Sequence, residues 1–218
     1  MAELGAEVHL AHPLGVKMFS YRWVKNDERD AADLADLLRM GRLPEAWIAP
    51  PATRELRELV RHRAKLVALH SNVKCQVHAV LAGCGVQVPM SDLFGLGGQQ
   101  LLQRVELPPA CRARVGSATR VLQCLDFEIE VFTNLMTGRL RGHRGYTAIQ
   151  VIPGVGAILG AVFVAEIGDL HRFPGPNQLT SWAGLTAQHH ESDTKVHRGR
   201  ITKMGCGGRR RRPMCVQR

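Results

Sequence analysis

Two long apolar seams constrain this chain more than any other feature of its sequence. Leu59, Leu66, Val73 and Val80 fall at strict seven-residue intervals, with Leu56, Leu69 and Val77 beside them. Further on, Val115, Ala118, Leu122, Leu125, Ile129, Phe132 and Met136 alternate by three and four, the a/d spacing of a coiled coil. Each seam lasts about three heptads, too long for a chance run of apolar residues. Thr53 is placed to cap the first helix, which runs to about Leu81, and Pro108 and Pro109 open the second. Between them, residues 83–89 break the helix and residues 91–98 read as a glycine-rich loop. Two such helices across a break predict a long antiparallel coiled-coil hairpin. Ordinary helix packing inside a globular domain is the alternative.

The flanks are shorter elements. Residues 6–10 alternate as a short strand ended by His12-Pro13, and residues 27–40 carry Leu34, Leu37 and Leu38 at helical spacing with Gly41 as the stop. Pro44, Pro50 and Pro51 make a stiff connector. After the second seam come a turn at residues 153–156, an apolar helix over 157–167, a second turn at 173–176 and a short helix through Leu179 and Trp182. Beyond Met204 there is neither periodicity nor an apolar face, so residues 205–218 are expected to be disordered.

With 45% hydrophobic and 22% charged residues, the composition is that of an ordinary globular chain, so the net charge of +10 matters through its placement. From Lys195 onward every charged residue is basic, while the preceding body is close to neutral. A basic end on a neutral body is an electrostatic footprint for nucleic acid, and less so for an anionic membrane. The longest apolar run, 157–165, is too short to span a bilayer and is closed by Glu166. No signal peptide is visible, and a cytoplasmic chain is expected. Its six cysteines include no Cys-x-x-Cys and no zinc-ribbon spacing, and read as incidental thiols.

Three constellations carry chemistry. Asp27 and Asp30 open the first helix; at i and i+3 they share a face and could hold one divalent cation. The same pair is also what an N-cap and a first-turn acid look like, and Asp33 and Asp36 continue the spacing. Pro153-Gly154-Val155-Gly156 between two helical stretches resembles a helix-hairpin-helix turn, in which Gly154 and Gly156 let the backbone approach a phosphate. Ser192 is a hydroxyl nucleophile candidate, expected on an exposed loop. His189, His190 and His197 could relay a proton there, and Lys195, Arg198, Arg200 and Lys203 could contact nucleic acid and stabilise charge on a phosphorane.

These residues lie in motifs that resemble one family. Lys25-Asn26-Asp27-Glu28-Arg29-Asp30-Ala31, Ile152-Pro153-Gly154-Val155-Gly156, Ala165-Glu166-Ile167-Gly168-Asp169, Ala183-Gly184-Leu185 and Gly199-Arg200-Ile201-Thr202-Lys203 together resemble the insertion-sequence-110 (DEDD) transposases of the IS116/IS110/IS902 class. The likeness runs from about Ala6 to Lys203. It implies an α-rich α/β chain with a partial RNase-H-like domain (residues 1–52), a coiled-coil region (53–143), a small helical C-terminal transposase domain (144–204) and a basic tail (205–218). It further implies DNA transposition with Mg2+ on Asp27 and Asp30 as the last two of four catalytic acids. Ser192 would be the serine that becomes joined to DNA phosphate. A guide RNA and self-association through the coiled coil complete the implied partners.

The chain also departs from the family pattern. No acid before Asp27 lies in the context of the first two catalytic acids; Glu3 and Glu7 do not match. Asp193-Thr194 stands where many members have two glycines, and residues 205–218 stand where family chains continue into apolar helices. The expectation is therefore a transposase truncated at both ends and inactive. The competing readings are a non-catalytic nucleic-acid-binding remnant and a coiled-coil assembly protein.

Overall fold

The computed structural model describes residues 5–17, 19, 26–192 and 195–201. Its helices are α1 (Pro13–Lys17), α2 (Asp27–Arg39), α3 (Pro51–Gly83), α4 (Leu96–Arg104), α5 (Pro109–Arg139), α6 (Arg144–Ile149), α7 (Ala157–Ile167) and α8 (Pro176–Trp182). Two strands, β1 (Ala187–Ser192) and β2 (Lys195–Ile201), form an antiparallel hairpin. By internal contacts the chain divides into two compact units, Met1–Glu166 and Ile167–Arg218.

The two seams form the predicted pair of long helices, and α3 runs antiparallel to α5. Glu55 pairs with Arg139, the His62 ring packs 4.3 Å from that of Phe132, and Arg63 Nε donates to Thr133 Oγ1 at 2.7 Å. Farther along, His70 meets Asp126 at 3.0 Å, and Val80 shares a cluster with Val115. Each step up α3 is a step down α5. Proline begins both helices because the first amides of a helix need no partner within it; Pro51 and Pro109 take that place without a side-chain cap. The cap assigned to Thr53 is therefore not made. Leu69 also departs from the expected seam: it is 52% exposed, and Val60 and Leu81 are buried instead.

Apolar clusters cover both ends of the helix pair. At one end Leu56 and Val60 of α3, Met136 of α5 and Leu140 pack against Ala161 and Ala165 of α7. At the other, Val77, Val80, Leu81 and Val115 enclose Leu93, with Leu101 and Leu102 of α4 beside them. Here the expected glycine-rich loop is partly helix. Gly98 is buried inside α4, and a Cβ there would collide with the Leu93 carbonyl. The glycine thus serves close approach of backbones rather than a turn. Cys84 and Cys111 also meet at this end; their hydrogen bond raises the Cys84 pKa, and burial adds to the rise.

At the N-terminal side, the strand expected over residues 6–10 reduces to an isolated bridge between Ala11 and Glu45. The Ala46 amide donates to the Leu10 carbonyl and the His12 amide to the Pro44 carbonyl, both at 2.7 Å. Alternation alone does not make a strand where the partner segment is proline-bounded and soon turns into α3. In the second unit, Arg172 gathers the core. Its Nε donates to the Ile167 carbonyl at 3.2 Å, and its guanidinium lies 4.2 Å from the Phe173 ring centre and 5.1 Å from that of Trp182. The expected tail at 205–218 lies outside the described residues. Among the described residues no helix is long and apolar enough to cross a membrane.

Met136 is fully buried where α3, α5 and α7 meet. Met136→Ala should destabilise the first unit by about 2–5 kcal/mol, the usual cost of such a truncation with its residual cavity. Urea unfolding followed by circular dichroism checks this, and a loss well under 1 kcal/mol would mean that the junction repacks freely.

Candidate functional site

The acid pair sits on the first turn of α2, and neither residue is its cap. Asn26 takes that role, its side-chain oxygen accepting from the Glu28 amide at 3.0 Å. The Asp30 amide donates to the Asn26 carbonyl at 2.9 Å, closing the first helical bond. Asp27 and Asp30 are left exposed in the first turn, one step of three apart. Farther along the helix Asp36 pairs with Arg39 at 3.2 Å, so the repeated spacing does not make a row of equivalent acids.

Carboxylate oxygens suit Mg2+, which is commonly held by one or two of them together with substrate phosphates. Among the described residues, however, no group of three or more His, Cys, Asp or Glu side chains could hold a metal ion. Asp27 and Asp30 therefore make at most part of a cation site within these residues.

The Pro153–Gly156 turn joins α6 to α7. The Val155 amide donates to the Ile152 carbonyl at 3.0 Å, and the Gly160 amide to the Gly156 carbonyl at 2.9 Å. Gly154 has φ +86°, a conformation that side-chain-bearing residues rarely adopt, so this glycine is set by the turn itself. Gly156 has no such constraint, and a Cβ there would meet nothing within 4 Å. The open space leaves the backbone approachable, and the first amides of α7 lack acceptors within their helix. Val151 and Ile152 on the same turn are 82% and 55% exposed.

Ser192 is the last residue of β1 rather than a loop residue. Backbone register places it opposite Lys195, His190 opposite His197 and His189 opposite Arg198. The register shifts between Ala187 and His189, so β2 carries an irregularity beside Gly199 and Arg200. The residues singled out in sequence are thus brought together along one hairpin, an element that sequence reading missed. Gly199 and Arg200 are exposed. Lys203 and the Asp193-Thr194 pair lie outside the described residues. The acid pair and the glycine turn belong to the first unit, the hairpin to the second.

Comparison with known proteins points the same way from both ends of the chain. A DEDD-type IS110 model, described as a transposase, matches residues 1–85. The model described as the transposase IS116/IS110/IS902 family matches residues 146–212. The chain belongs to this family of insertion-sequence transposases. It is similar to transposase y4qE of Sinorhizobium fredii, 27% identical over 183 residues, which is 84% of this chain and 44% of the relative. It is also similar to the transposase for insertion sequence element IS1111A of Coxiella burnetii, 24% identical over 212 residues, 93% of this chain and 56% of the relative. The chain thus spans about half the length of the curated relatives it matches.

Asp169, in one of the family-like segments, has a local task. It accepts from the His171 amide at 2.9 Å and lies 3.0 Å from His171 Nδ1, capping the 3-10 turn Leu170–Arg172. The amide bond first, then the ring, lowers its carboxyl pKa. A depressed carboxylate pKa stabilises the fold above the unfolded value of about 3.9 and ceases to do so as pH falls through the folded value. Carbon-detected NMR should therefore give an Asp169 midpoint below about 3.9, and Asp169→Ala should release the His171 amide. A midpoint at or above that value would contradict the cap.

Proposed function

We propose that this chain supplies the DNA-contacting and serine-bearing parts of an insertion-sequence recombinase. The observation that carries the reading is the β1–β2 register, which sets Ser192 opposite Lys195 and, two pairs along, His190 opposite His197, with His189 and Arg198 paired one step farther. Serine is a weak nucleophile at its own pKa, so a base and nearby cations are what attack on a phosphodiester requires. In that role Ser192 Oγ would bond to phosphorus as the bond to the leaving sugar oxygen breaks. One of the histidines would take the serine proton.

Gly154 and Gly156 with the start of α7 would receive a DNA phosphate in a helix-hairpin-helix manner. Lys195, Arg198, Arg200 and Lys203 would track the backbone. Asp27 and Asp30, in an RNase-H-like setting, would contribute two carboxylates toward Mg2+, whose chemistry is to polarise the phosphate and activate the attacking group. The family resemblance adds a guide RNA and self-association through the α3–α5 pair as a coiled coil.

A second reading follows from the acid pair, which gains no third ligand among the described residues. On that reading the 218-residue chain holds nucleic acid without itself completing strand transfer.

Both readings require cationic groups on DNA, which salt measures. Affinity for random duplex should fall linearly in a log–log plot of salt. Arg198→Ala with Arg200→Ala should flatten the slope by about 1.8, at about 0.9 for each phosphate no longer neutralised. An unchanged slope would remove β2 from the interface. Catalysis is read separately: incubation with a supercoiled plasmid carrying element ends, guide RNA and Mg2+ should give no covalent protein–DNA adduct if the second reading holds. A Ser192-dependent adduct would establish the first.

A further inference from the structure

The end of the helix pair away from α7 brings two thiols together. The antiparallel register that sets His70 against Asp126 runs on for about four helical turns in each helix to Cys84 and Cys111. There the two side chains hydrogen-bond to each other. Val80 and Val115, one turn back on each helix, share a buried cluster and mark the same alignment.

Neither sulfur hangs from a loose segment. Cys84 caps the end of α3, its amide donating to the Val80 and Leu81 carbonyls at 3.1 Å each. Cys111 lies in the first turn of α5 and packs against the cluster of Leu81 and Leu93. Both thiols are only half-buried, and with Gly83 and Arg114 they line an open cavity of about 270 Å³. A Cβ on Gly83 would meet nothing within 4 Å, which leaves room for a small molecule beside the sulfurs. The bond to Cys111 first, then burial, raises the Cys84 pKa, while the Arg114 guanidinium opposes the rise. The other two described cysteines are placed differently. Cys75 and Cys124 are exposed on α3 and α5 and are staggered along the pair by about three residues, or about 4.5 Å of rise.

We propose that Cys84 and Cys111 form a dithiol site, which small disulfides oxidise to a covalent clasp between α3 and α5. The thiolate of one cysteine attacks a sulfur of the oxidant. A mixed disulfide forms, and one small thiolate leaves and takes up a proton. The second cysteine loses its proton and attacks the protein sulfur of the mixed disulfide, expelling the second small thiol. Two electrons thus reduce the oxidant to two thiols, and the two cysteines become one disulfide. The new bond closes the segment from Cys84 to Cys111 into a ring. Leu93 and α4 lie on that segment, so the clasp fastens the cover of the buried cluster of Val77, Leu81 and Val115. In the reduced chain that cover is held by apolar contacts and by Arg112, whose guanidinium bonds to the Leu102 and Val105 carbonyls. DNA contact and strand transfer play no part in the clasp, which stands apart from the transposase reading.

The test uses the purified full chain, reduced, freed of reductant and exposed to oxidised glutathione. Alkylation of the remaining thiols, proteolysis and mass spectrometry then locate every link. A peptide pair joined through Cys84 and Cys111 should form at least tenfold faster than any other link, and at least tenfold faster in the native chain than in denaturing urea. A variant with Cys75, Cys124, Cys206 and Cys215 all replaced by serine should form the same link within a monomer, losing two hydrogen atoms in mass. Dithiothreitol should restore the reduced mass. Cys84→Ser or Cys111→Ser should stop at the mixed disulfide with glutathione, and unchanged far-ultraviolet circular dichroism checks that the variants fold. Oxidation should also raise the urea midpoint, since a cross-link restricts the unfolded chain. Hydrogen exchange through α4 should slow about tenfold, and Cys84→Ser should abolish both effects.

Equal or faster linkage through Cys75 or Cys124 would overturn the site. A chain that carries glutathione on both Cys84 and Cys111 with no link between them would do the same. Linkage no faster in the native chain than in urea would show that the fold contributes nothing to it, and would also overturn the proposal. A link that leaves the urea midpoint and the exchange of α4 unchanged would refute the clasp.

Discussion

The end of α7 is held by an arginine that precedes it by more than a hundred residues, and the first unit depends on that grip. Arg57 of α3 donates from Nε to the Ala165 carbonyl at 2.7 Å and from a terminal nitrogen to the Glu166 carbonyl at 3.0 Å. Its guanidinium also lies 5.2 Å from the Trp47 ring centre. One turn along, Arg61 makes two bonds of 3.0 Å to the Glu166 carboxylate. The last carbonyls of a helix have no donor inside it and carry the negative end of its dipole, so a partly buried cation is the partner they lack. Charge-assisted bonds of this type contribute about 1.5–3 kcal/mol each. They fix α7 across α3 and α5, bringing Ala161 and Ala165 onto Met136. The small residues of α7 then make sense, since side chains larger than alanine would hold the helices apart.

This anchoring also sets what the glycine turn can do. With α7 fixed at its far end, the Pro153–Gly156 turn leads into a rigid helix, and the amides at its start are held in place. A phosphate-binding turn needs that rigidity, because ordering a mobile loop on binding would cost part of the affinity gained. The β1–β2 hairpin uses a different device: antiparallel register sets Ser192 opposite Lys195 and His190 opposite His197. In each case the backbone of a regular element positions the candidate groups.

Much of this was legible in the sequence, for physical reasons. The α3–α5 pair announced itself because the helical repeat sustained over many turns leaves few alternatives, and α7 because an apolar run between turns must be buried. The hairpin was hidden. His189, His190, Lys195 and Arg198 are polar residues without clean alternation, and among the described residues each strand pairs only with the other. The Gly98 region misled in the opposite way, since glycine chosen for close packing looks the same in sequence as glycine chosen for a turn. The Arg57 grip could not be read either: nothing local to Arg57 distinguishes it from the other arginines of α3. Its role emerges only when α7 arrives from the far end of the unit. Asp27 and Asp30 were correctly placed on a helix start, yet spacing could not show that Asn26, not Asp27, is the cap.

Through Arg57, α7 is cooperative with the long helix pair, and native-state hydrogen exchange measures that coupling directly. In the unaltered chain, the most protected amides of α3, α5 and α7 should exchange with the same free energy, as one opening unit. Arg57→Ala should lower protection throughout α7, with the amides near Ala161 and Ala165 exchanging by a separate, cheaper opening while the Val77–Val115 end of the helix pair stays protected. Protection of α7 that survives Arg57→Ala unchanged would contradict this coupling, because the helix would then be held by its apolar contacts alone.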